Sequence, residues 1–498
     1  MSNKSNIYPQ GNPQLVKLFE QAGHPAKVMC VAMDYAKAKH TILFCNGLGD
    51  RLKPNFAIDN TAAGAAKLLD QVQACAKKKK IRSEHVFFGG EDEPSFAKNF
   101  IRKLLQEKYL VVRVNAWEAK QQRDNFQASS DSLDLLGIAR CLLKRRGQSI
   151  QQLPQAYPNL EIATRDRDKM VRMRTGLSNR IHSYVDRLFP CFLSASKSPL
   201  QPFGKASLDM MEEDRFSPAQ LSRRSRRSLA QWLARRGVEQ PQEKAEHLKQ
   251  LAKDVLGPAP EQTVTLQRTL AQLVGVYRGL EQSVAMLDRE LAHWLAKTPG
   301  AWLTSIPGIG ITLAAGWTAE LGPPSQWRAV RQLCSYCGVV PRSKQTGGPD
   351  KEALVGTVQQ RCNKRLKNVV LQAVEKVLQF GPEEFRQTAQ ELEARGAHTE
   401  FAMAKRLVRV AKYLAVHGSV YRPKALMAPE TPKAALAAHY QSVWEKLLFK
   451  WKDKADLTEV FAPANPLGQW RKMVQELYAL ELRLPEQKAA HKSGALTP

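Results

Sequence analysis

The sequence lacks any long apolar run. No stretch approaches the ~20 consecutive apolar residues that a membrane-spanning helix needs. The polar start, MSNKSNIYPQGNPQ, also lacks the apolar centre of a signal peptide. We therefore expect a cytoplasmic protein with no membrane partner. At 498 residues, the chain is too long for one core, and the usual domain size of about 150 residues predicts about three domains.

Cysteine is scarce: the chain has eight, and they are scattered. Several lie within apolar stretches, where a reduced thiol packs as a small hydrophobic group. Cys334 and Cys337 form a single CxxC pair with only Cys362 nearby, whereas a structural zinc site needs four ligands. We therefore favour packed thiols, with a zinc site as the alternative.

Acidic residues are few, 47 against 75 lysines and arginines, which gives a formal net charge of +28. Such a surface attracts polyanions, because neutralising phosphates releases counterions. Nucleic acid is therefore the leading partner. A basic ribosome-associated or membrane-surface protein is the alternative that charge alone leaves open.

The first third of the chain alternates between strand and helix patterns. Three short apolar runs between residues 27 and 57 predict an antiparallel meander: KVMCVAMD, HTILFCN and LKPNFAI. A helix at about 60–78, the run HVFFGG, a helix from about 95, the run YLVVRVN and further helices to about 146 follow. This order predicts an α/β domain over 27–150, with a ribonuclease-H-like mixed sheet, after an N-terminal tail at 1–26.

The rest of the chain shows helix patterns. Residues 151–299 predict a helical region with a basic insertion, 300–422 an all-α domain, and 423–498 an accessory helical segment and tail. The insertion carries Arg223, Arg224, Arg226 and Arg227. We expect RNA-binding helices there, and a solvated basic face is the alternative.

A heptad-like seam runs along one predicted helix of the middle region. Its members are Leu266, Leu270, Leu273, Tyr277, Leu280, Val284, Leu287, Leu291 and Trp294. Apolar residues at this spacing predict a coiled coil, and we expect it to join protomers into a dimer or tetramer. The alternative is a long helix packed against its own chain, because an amphipathic stripe looks the same in both cases.

Four acidic residues stand where the predicted elements could gather them. Asp34 closes the first strand, and Glu91 follows the fourth predicted strand, which this topology places beside the first. Asp131 and Asp134 are three residues apart in a predicted helix, so they share a face. Together the four could hold two Mg²⁺ ions at a phosphodiester. Taken singly, each could be a helix cap or a solvated charge.

Two loops of the second half point to phosphate contacts. The segment SIPGIG lies between predicted helices, like the hairpin of a helix-hairpin-helix element, and Gly308 and Gly310 would expose backbone amides to a phosphate. A plain helix turn is the alternative.

The segment QTGG joins a hydroxyl, two glycines and nearby cations. The residues concerned are Thr346, Gly347, Gly348, Arg361, Lys364 and Arg365. A hydroxyl beside flexible glycines could attack a phosphorus atom and conserve the bond energy for rejoining. Otherwise the segment is a surface turn.

The ordered set of motifs carries a family resemblance. VAMDYAK, GGEDEPSFA, ASSDSLDLLGIARCL, SIPGIG, YCGVVPRSKQTGG and QRCNKRLKNVVLQA follow one another in this chain. In this order they resemble the transposases of insertion-sequence family 110, which include the Piv-type DNA invertases. The resemblance spans roughly residues 27–190 and 265–420.

The resemblance implies a RuvC-like DEDD domain, a coiled coil that assembles protomers and a C-terminal transposase domain. Asp34, Glu91, Asp131 and Asp134 then match the metal-binding acids. It also implies a recombinase guided by a structured bridge RNA that pairs with donor and target DNA, with a covalent 5′-phosphoryl enzyme intermediate. Acids of one protomer would face the hydroxyl loop of another.

The hydroxyl loop departs from the family pattern. Thr346 stands where the family typically has serine, and Ser343 is the second candidate nucleophile. A catalytically impaired nucleic-acid-binding relative and a metal-dependent, structure-selective nuclease that cuts by water attack are the alternatives to a recombinase.

Overall fold

The computed structural model describes residues 11–91, 96–124, 130–213, 216–326, 329–344, 354–358, 362–396 and 398–485. The chain divides into two compact units, Met1–Gln152 and Leu153–Pro498. Within the described ranges, none of the helices combines the length and the apolar character needed to cross a membrane.

The first unit is built around a six-stranded mixed sheet in the order β3-β2-β1-β4-β5-β6. Its elements are α1 (Pro13–Ala22), β1 (Met29–Asp34), β2 (Lys39–Asn46), β3 (Phe56–Asp59), α2 (Ala62–Lys78), β4 (Val86–Glu91), α3 (Lys98–Gln106), β5 (Leu110–Arg113), α4 (Ala116–Gln121), α5 (Asp131–Leu143) and β6 (Gln148–Ile150). The first three strands form the predicted antiparallel meander, and β4 lies parallel to β1. The predicted α/β domain with a mixed sheet is confirmed.

Two short elements were not predicted. Helix α1 falls in the segment that we assigned to a tail, and it buries Leu15, Leu18 and Phe19 in the core of the first unit. Strand β6 adds an antiparallel edge to β5. Residues 1–10 of the expected tail lie outside the described residues.

The two faces of the sheet carry separate cores, because successive side chains of a strand point to opposite faces. On β1, Met29, Val31 and Met33 face the core that α2 and α3 cover. Cys30 and Ala32 face the core that α1 and α5 cover. The alternation therefore places the last residue of β1, Asp34, on the α5 face.

The second unit is mostly helical, as predicted. Its elements are α6 (Ala156–Leu188), α7 (Lys205–Glu212), α8 (Pro218–Arg223), α9 (Arg226–Ala234), α10 (Pro241–Asp254), α11 (Pro260–Ala296), α12 (Ile311–Leu321), α13 (Val330–Tyr336), β7 (Pro341–Lys344), β8 (Leu354–Val358), α14 (Lys364–Phe380), α15 (Glu383–Ala394), α16 (Thr399–His417), α17 (Lys433–Trp451), α18 (Leu457–Val460) and α19 (Pro466–Tyr478). A 3₁₀ helix at Pro299–Ser305 precedes α12. The small antiparallel sheet β7–β8 was not predicted.

The heptad-like seam lies on α11 and packs against α6 of the same chain. The pair is antiparallel: Leu160 near the start of α6 shares a core with Leu291 near the end of α11. Ile181 near the end of α6 shares another core with Leu270. The structure therefore shows the alternative that the sequence left open, a long helix packed against its own chain.

The last helices belong to the core of the second unit. Trp451 of α17 and Trp470 of α19 are buried together with Trp317 of α12. Residues 423–485, which we treated as part of an accessory segment, therefore share one core with the region around 300–422. The core of α7–α10 is separate and includes Phe192, Phe216 and Leu233.

Candidate active site

Two of the four predicted acids lie side by side in the sheet. Asp34 ends β1, Glu91 ends β4, and the two residues are direct partners in the parallel register. Paired residues of parallel strands point to the same face, here the one that α5 covers. Both side chains are half-buried at the carboxyl ends of their strands, which is where open α/β sheets bind ligands.

Helix α5 brings the other two acids to this face. Ser130 caps the helix by accepting a hydrogen bond from the Leu133 amide at 3.4 Å, so Asp131 and Asp134 lie in the first turn. The positive end of the helix dipole stabilises carboxylates there.

Close packing fixes the helix on the sheet. A Cβ on Gly89 would lie 2.4 Å from Leu142, so only glycine lets α5 approach β4 this closely. Gly90 faces the other side, where a Cβ would lie 2.2 Å from the Met33 carbonyl oxygen. The two glycines before Glu91 therefore serve packing within the unit.

The charges of the two acids on α5 act on Asp34. Burial raises the pKa of Asp34, and the nearby negative charges of Asp134 and Asp131 raise it further, while Arg123 lowers it. Arg123 forms an ion pair with Asp134 at 2.5 Å. Sequence reasoning missed Arg123, because nothing in QQRDNF distinguishes it from a solvated cation.

The donor set fits a divalent cation chemically, since Mg²⁺ prefers carboxylate oxygens. A bound cation would also relieve the repulsion that raises the pKa of Asp34. The acids nevertheless do not form a closed ligand shell: in the parts of the chain that are described, no three potential ligands are grouped closely enough to hold a metal ion. Asp131 is exposed, and its neighbours at 125–129 lie outside the described residues.

The candidate nucleophile lies between β7 and β8 in the sequence. Thr346, Gly347, Gly348 and Arg361 all lie outside the described residues. Ser343 is part of β7, where it pairs with Val355 of β8.

The residues that flank this β-hairpin in the sequence lie close together. The Asn363 amide donates to the Tyr336 carbonyl at 2.9 Å, and a Cβ on Gly338 would lie 2.5 Å from the sulfur of Cys362. Residues 336–338 before β7 therefore meet residues 362–363 after β8.

Two of the predicted cations follow this hairpin. Lys364 and Arg365 are exposed in the first turn of α14, and Asn363 caps that helix by accepting from the Leu366 amide at 3.0 Å. Exposed cations beside a helix N-terminus suit an anionic ligand such as a phosphate.

The two glycines of the PGIG segment have different surroundings. Gly308 has a φ of +89°, and a Cβ there would lie 2.4 Å from the Lys376 carbonyl oxygen of α14. Its absence of a side chain therefore serves packing. Gly310 caps α12, and a Cβ there would meet nothing within 4 Å. Of the two, only Gly310 faces open space.

The CxxC cysteines are packed thiols. Cys334 and Cys337 are buried. Burial raises the pKa of Cys337 to about 12, and nearby Cys334 and Cys362 raise it as well. Since the described residues hold no metal-ligating group of three, the zinc alternative gains no support.

A mixed sheet with a leading meander and acids at two adjoining strand ends, under a helix that carries two more, is consistent with a RuvC-like fold. Two family models match this chain: a DEDD transposase model of the IS110 family at residues 31–190, and one described as transposase of the IS116/IS110/IS902 family at residues 300–390. Together they cover about half of the chain. The chain therefore belongs to this transposase family.

Curated relatives agree with the family models. The chain is 25% identical over 44% of its length to an uncharacterized protein of insertion element IS116 from Streptomyces clavuligerus, covering 55% of that protein. It is 32% identical over 23% of its length to the transposase for insertion sequence element IS1328 from Yersinia enterocolitica, covering 34% of that protein. A probable family 20 transposase from Pseudomonas aeruginosa is 28% identical over 24% of this chain and 34% of its own length. The chain thus spans about half, or less, of the length of these relatives.

Proposed function

We propose that this chain is a DNA transposase that cleaves and rejoins strands through a covalent hydroxyl-linked intermediate. The observation that carries the proposal is the pairing of Asp34 with Glu91 on the face that the N-terminus of α5 covers. The raised pKa of Asp34 supports it, because a perturbed acid with nearby charged partners is typical of functional sites.

In the proposed reaction, the Thr346 hydroxyl attacks a scissile phosphate, loses its proton and forms a new phosphorus–oxygen bond. The 3′ oxygen of the DNA leaves and takes up a proton. Mg²⁺, when bound, would neutralise charge on the attacking and leaving oxygens. Asp34, Glu91, Asp131 and Asp134 would hold it, and Lys364 and Arg365 would contact the phosphate backbone.

The proposed partners are double-stranded donor and target DNA, a guide or bridge RNA, and further copies of this chain. For RNA contacts, we propose Arg223 and Arg227, which are exposed. Arg224 instead forms an ion pair with Glu213 at 3.3 Å. Since α11 packs its seam within the chain, an assembly would have to use surfaces other than this seam.

Trapping of a covalent adduct tests the proposal. The RNA that copurifies with the protein is sequenced first, and a duplex matching its guide segments, with a nick that prevents rejoining, then serves as the substrate. We expect a protein–DNA adduct with the wild-type protein and with Thr346→Ser, but not with Thr346→Ala. An adduct that persists in Thr346→Ala and disappears in Ser343→Ala would move the nucleophile to Ser343.

The ion pair between Arg123 and Asp134 favours a second candidate, a nucleic-acid-binding relative that does not cleave DNA. A guanidinium already neutralises charge at this carboxylate, which is a role that a metal ion would otherwise have. In that case the wild-type protein binds DNA or RNA without forming any adduct. The adduct assay on the wild-type protein separates the two. In a transposase whose acids hold metal, Asp131→Asn should abolish cleavage and leave RNA binding intact.

A further inference from the structure

The PGIG segment surrounds a side chain from a distant part of the sequence. The ammonium group of Lys450, near the end of α17, donates hydrogen bonds to three backbone carbonyls: those of Thr304 at 2.5 Å, Ile306 at 3.1 Å and Ile309 at 2.8 Å. The three acceptor residues are buried. One nitrogen thus joins the end of the 3₁₀ helix to the hairpin that leads into α12.

Carbonyl oxygens that converge on one point are a cation site. Backbone carbonyl rings replace the hydration shell of K⁺ in channels, and an ammonium group is close to K⁺ in size and charge. Three carbonyl dipoles pointing at each other without a cation would repel, and their burial would remove the water that could otherwise solvate them. The Lys450 ammonium offsets both effects.

Neighbouring contacts hold this lysine in place. The indole nitrogen of Trp451 donates to the Thr304 hydroxyl at 3.3 Å, and Trp451 is fully buried. Burial lowers the pKa of Lys450 to about 8, with a smaller contribution from the charge of Lys446. At pH 7 the amine therefore remains mostly protonated.

We propose that Lys450 is a tethered cation that fixes the PGIG hairpin, and that its three carbonyls bind a free monovalent cation when the ammonium is removed. The hairpin sets the direction of α12 and of Gly310 at its open N-terminus. Lys450 is therefore a positioning residue for the phosphate contact at Gly310. That last step rests on the proposed function, whereas the cation site does not.

Thermal melting of full-length variants tests the cation site. Lys450→Met keeps an unbranched apolar side chain that ends one atom short of the ammonium nitrogen, and it removes the charge. Lys446→Met removes an exposed charge one turn away on the same helix. Each protein is melted in KCl, NH₄Cl and tetramethylammonium chloride at equal ionic strength. Tetramethylammonium is too large to bind among the three carbonyl oxygens.

We expect the melting temperature of Lys450→Met in tetramethylammonium to lie below that of the wild type by on the order of 5 °C. In K⁺ or NH₄⁺ the variant should regain at least half of that difference. Wild type and Lys446→Met should melt alike in all three salts. A Lys450→Met protein that melts like wild type, or one that is destabilised equally in every salt, would overturn the proposal. If this variant does not fold, Lys450→Gln replaces it, with the same recovery expected and the same outcomes against it.

Binding of a labelled DNA duplex in the same salts tests the positioning role. We expect Lys450→Met to bind several-fold more weakly in tetramethylammonium and to recover in K⁺, whereas Lys446→Met shows no such recovery. Recovery of the melting temperature without any change in DNA affinity would keep the cation site and exclude the phosphate contact. If the wild-type protein does not bind DNA, the proposed function is refuted and the melting result still stands.

Discussion

Asp34 combines the chemistry of the candidate site in one side chain. It sits at the end of a central strand, pairs with Glu91 in register and lies near the acids of α5. Its pKa is raised because burial and like charges penalise the carboxylate. An acid held in this way destabilises the folded protein at neutral pH unless a cation is bound, which is the usual conflict between stability and function.

Replacing Asp34 with asparagine should therefore stabilise the metal-free protein. We expect Asp34→Asn to raise the melting temperature at pH 7 by roughly 2 °C, because the amide is uncharged and nearly isosteric. Addition of Mg²⁺ should raise the melting temperature of the wild type and leave that of Asp34→Asn unchanged. Asp70→Asn, an exposed acid on α2, is the matched control.

The raised pKa of Asp34 also predicts how the stability of the folded protein depends on pH. Since the folded pKa of Asp34 is raised above its ordinary value, the folded state binds this proton more tightly than the unfolded state. The resulting stability is fully present below the ordinary pKa and is lost as the pH rises through the raised one. Melting temperatures measured without metal, from acid to neutral pH, should show this loss of stability in the wild type and not in Asp34→Asn. An equal loss of stability in the variant would mean that other groups cause it.

At the scale of elements, the α6–α11 pair decides how the middle of the chain is built. Leu270 and Leu291 of the seam are both 0% exposed, and Arg167 of α6 forms an ion pair with Asp288 of α11 at 2.5 Å. The apolar stripe is therefore used inside one chain. Met286 on the same helix points outward, with 69% of its surface exposed.

Truncation of the buried Leu291 and of the exposed Met286 should change the free energy of unfolding by very different amounts. Leu291→Ala should cost about 2–5 kcal/mol in the free energy of unfolding, because it leaves a cavity in the core. Met286→Ala should change it by less than ~0.5 kcal/mol if that surface is free. Urea unfolding of both variants gives the numbers, and ultracentrifugation run alongside reports the oligomer. Dissociation of an oligomer by Met286→Ala would place a protein interface on that face.

At the scale of the whole molecule, the residues that we propose for catalysis come from both compact units. The acids belong to Met1–Gln152, and the loop with Thr346 belongs to Leu153–Pro498. Both cores of the first unit are formed from residues of that unit alone.

The fragment 1–152 should therefore fold by itself. We expect a single cooperative melt and, if the four acids hold metal, a melting temperature that rises with Mg²⁺. Because the hydroxyl loop is missing, the fragment should form no covalent DNA adduct. Circular dichroism without a cooperative transition would mean that the first unit depends on the rest of the chain.

Much of the first unit could be predicted from sequence, because its strands are short apolar runs between polar turns. The meander, the position of β4 beside β1 and the placement of Asp34 and Glu91 are all present in the structure. Helix α1 and strand β6 escaped prediction because they are short, and their burial depends on partners far away in the chain. The roles of Arg123 and Lys450 could not be predicted either, because a single cation forms no local sequence pattern.

The sequence by itself determined the family, the mixed sheet and the position of Asp34 and Glu91 at adjoining strand ends, because these depend on local periodicity and on motifs in a fixed order. Only the tertiary structure decided that the α11 seam meets α6, that Gly308 serves packing, and that Lys450 lies among three carbonyls. A periodic stripe shows that a face will be buried and does not name its partner. The partner depends on contacts between residues far apart in the chain, which only the folded molecule brings together.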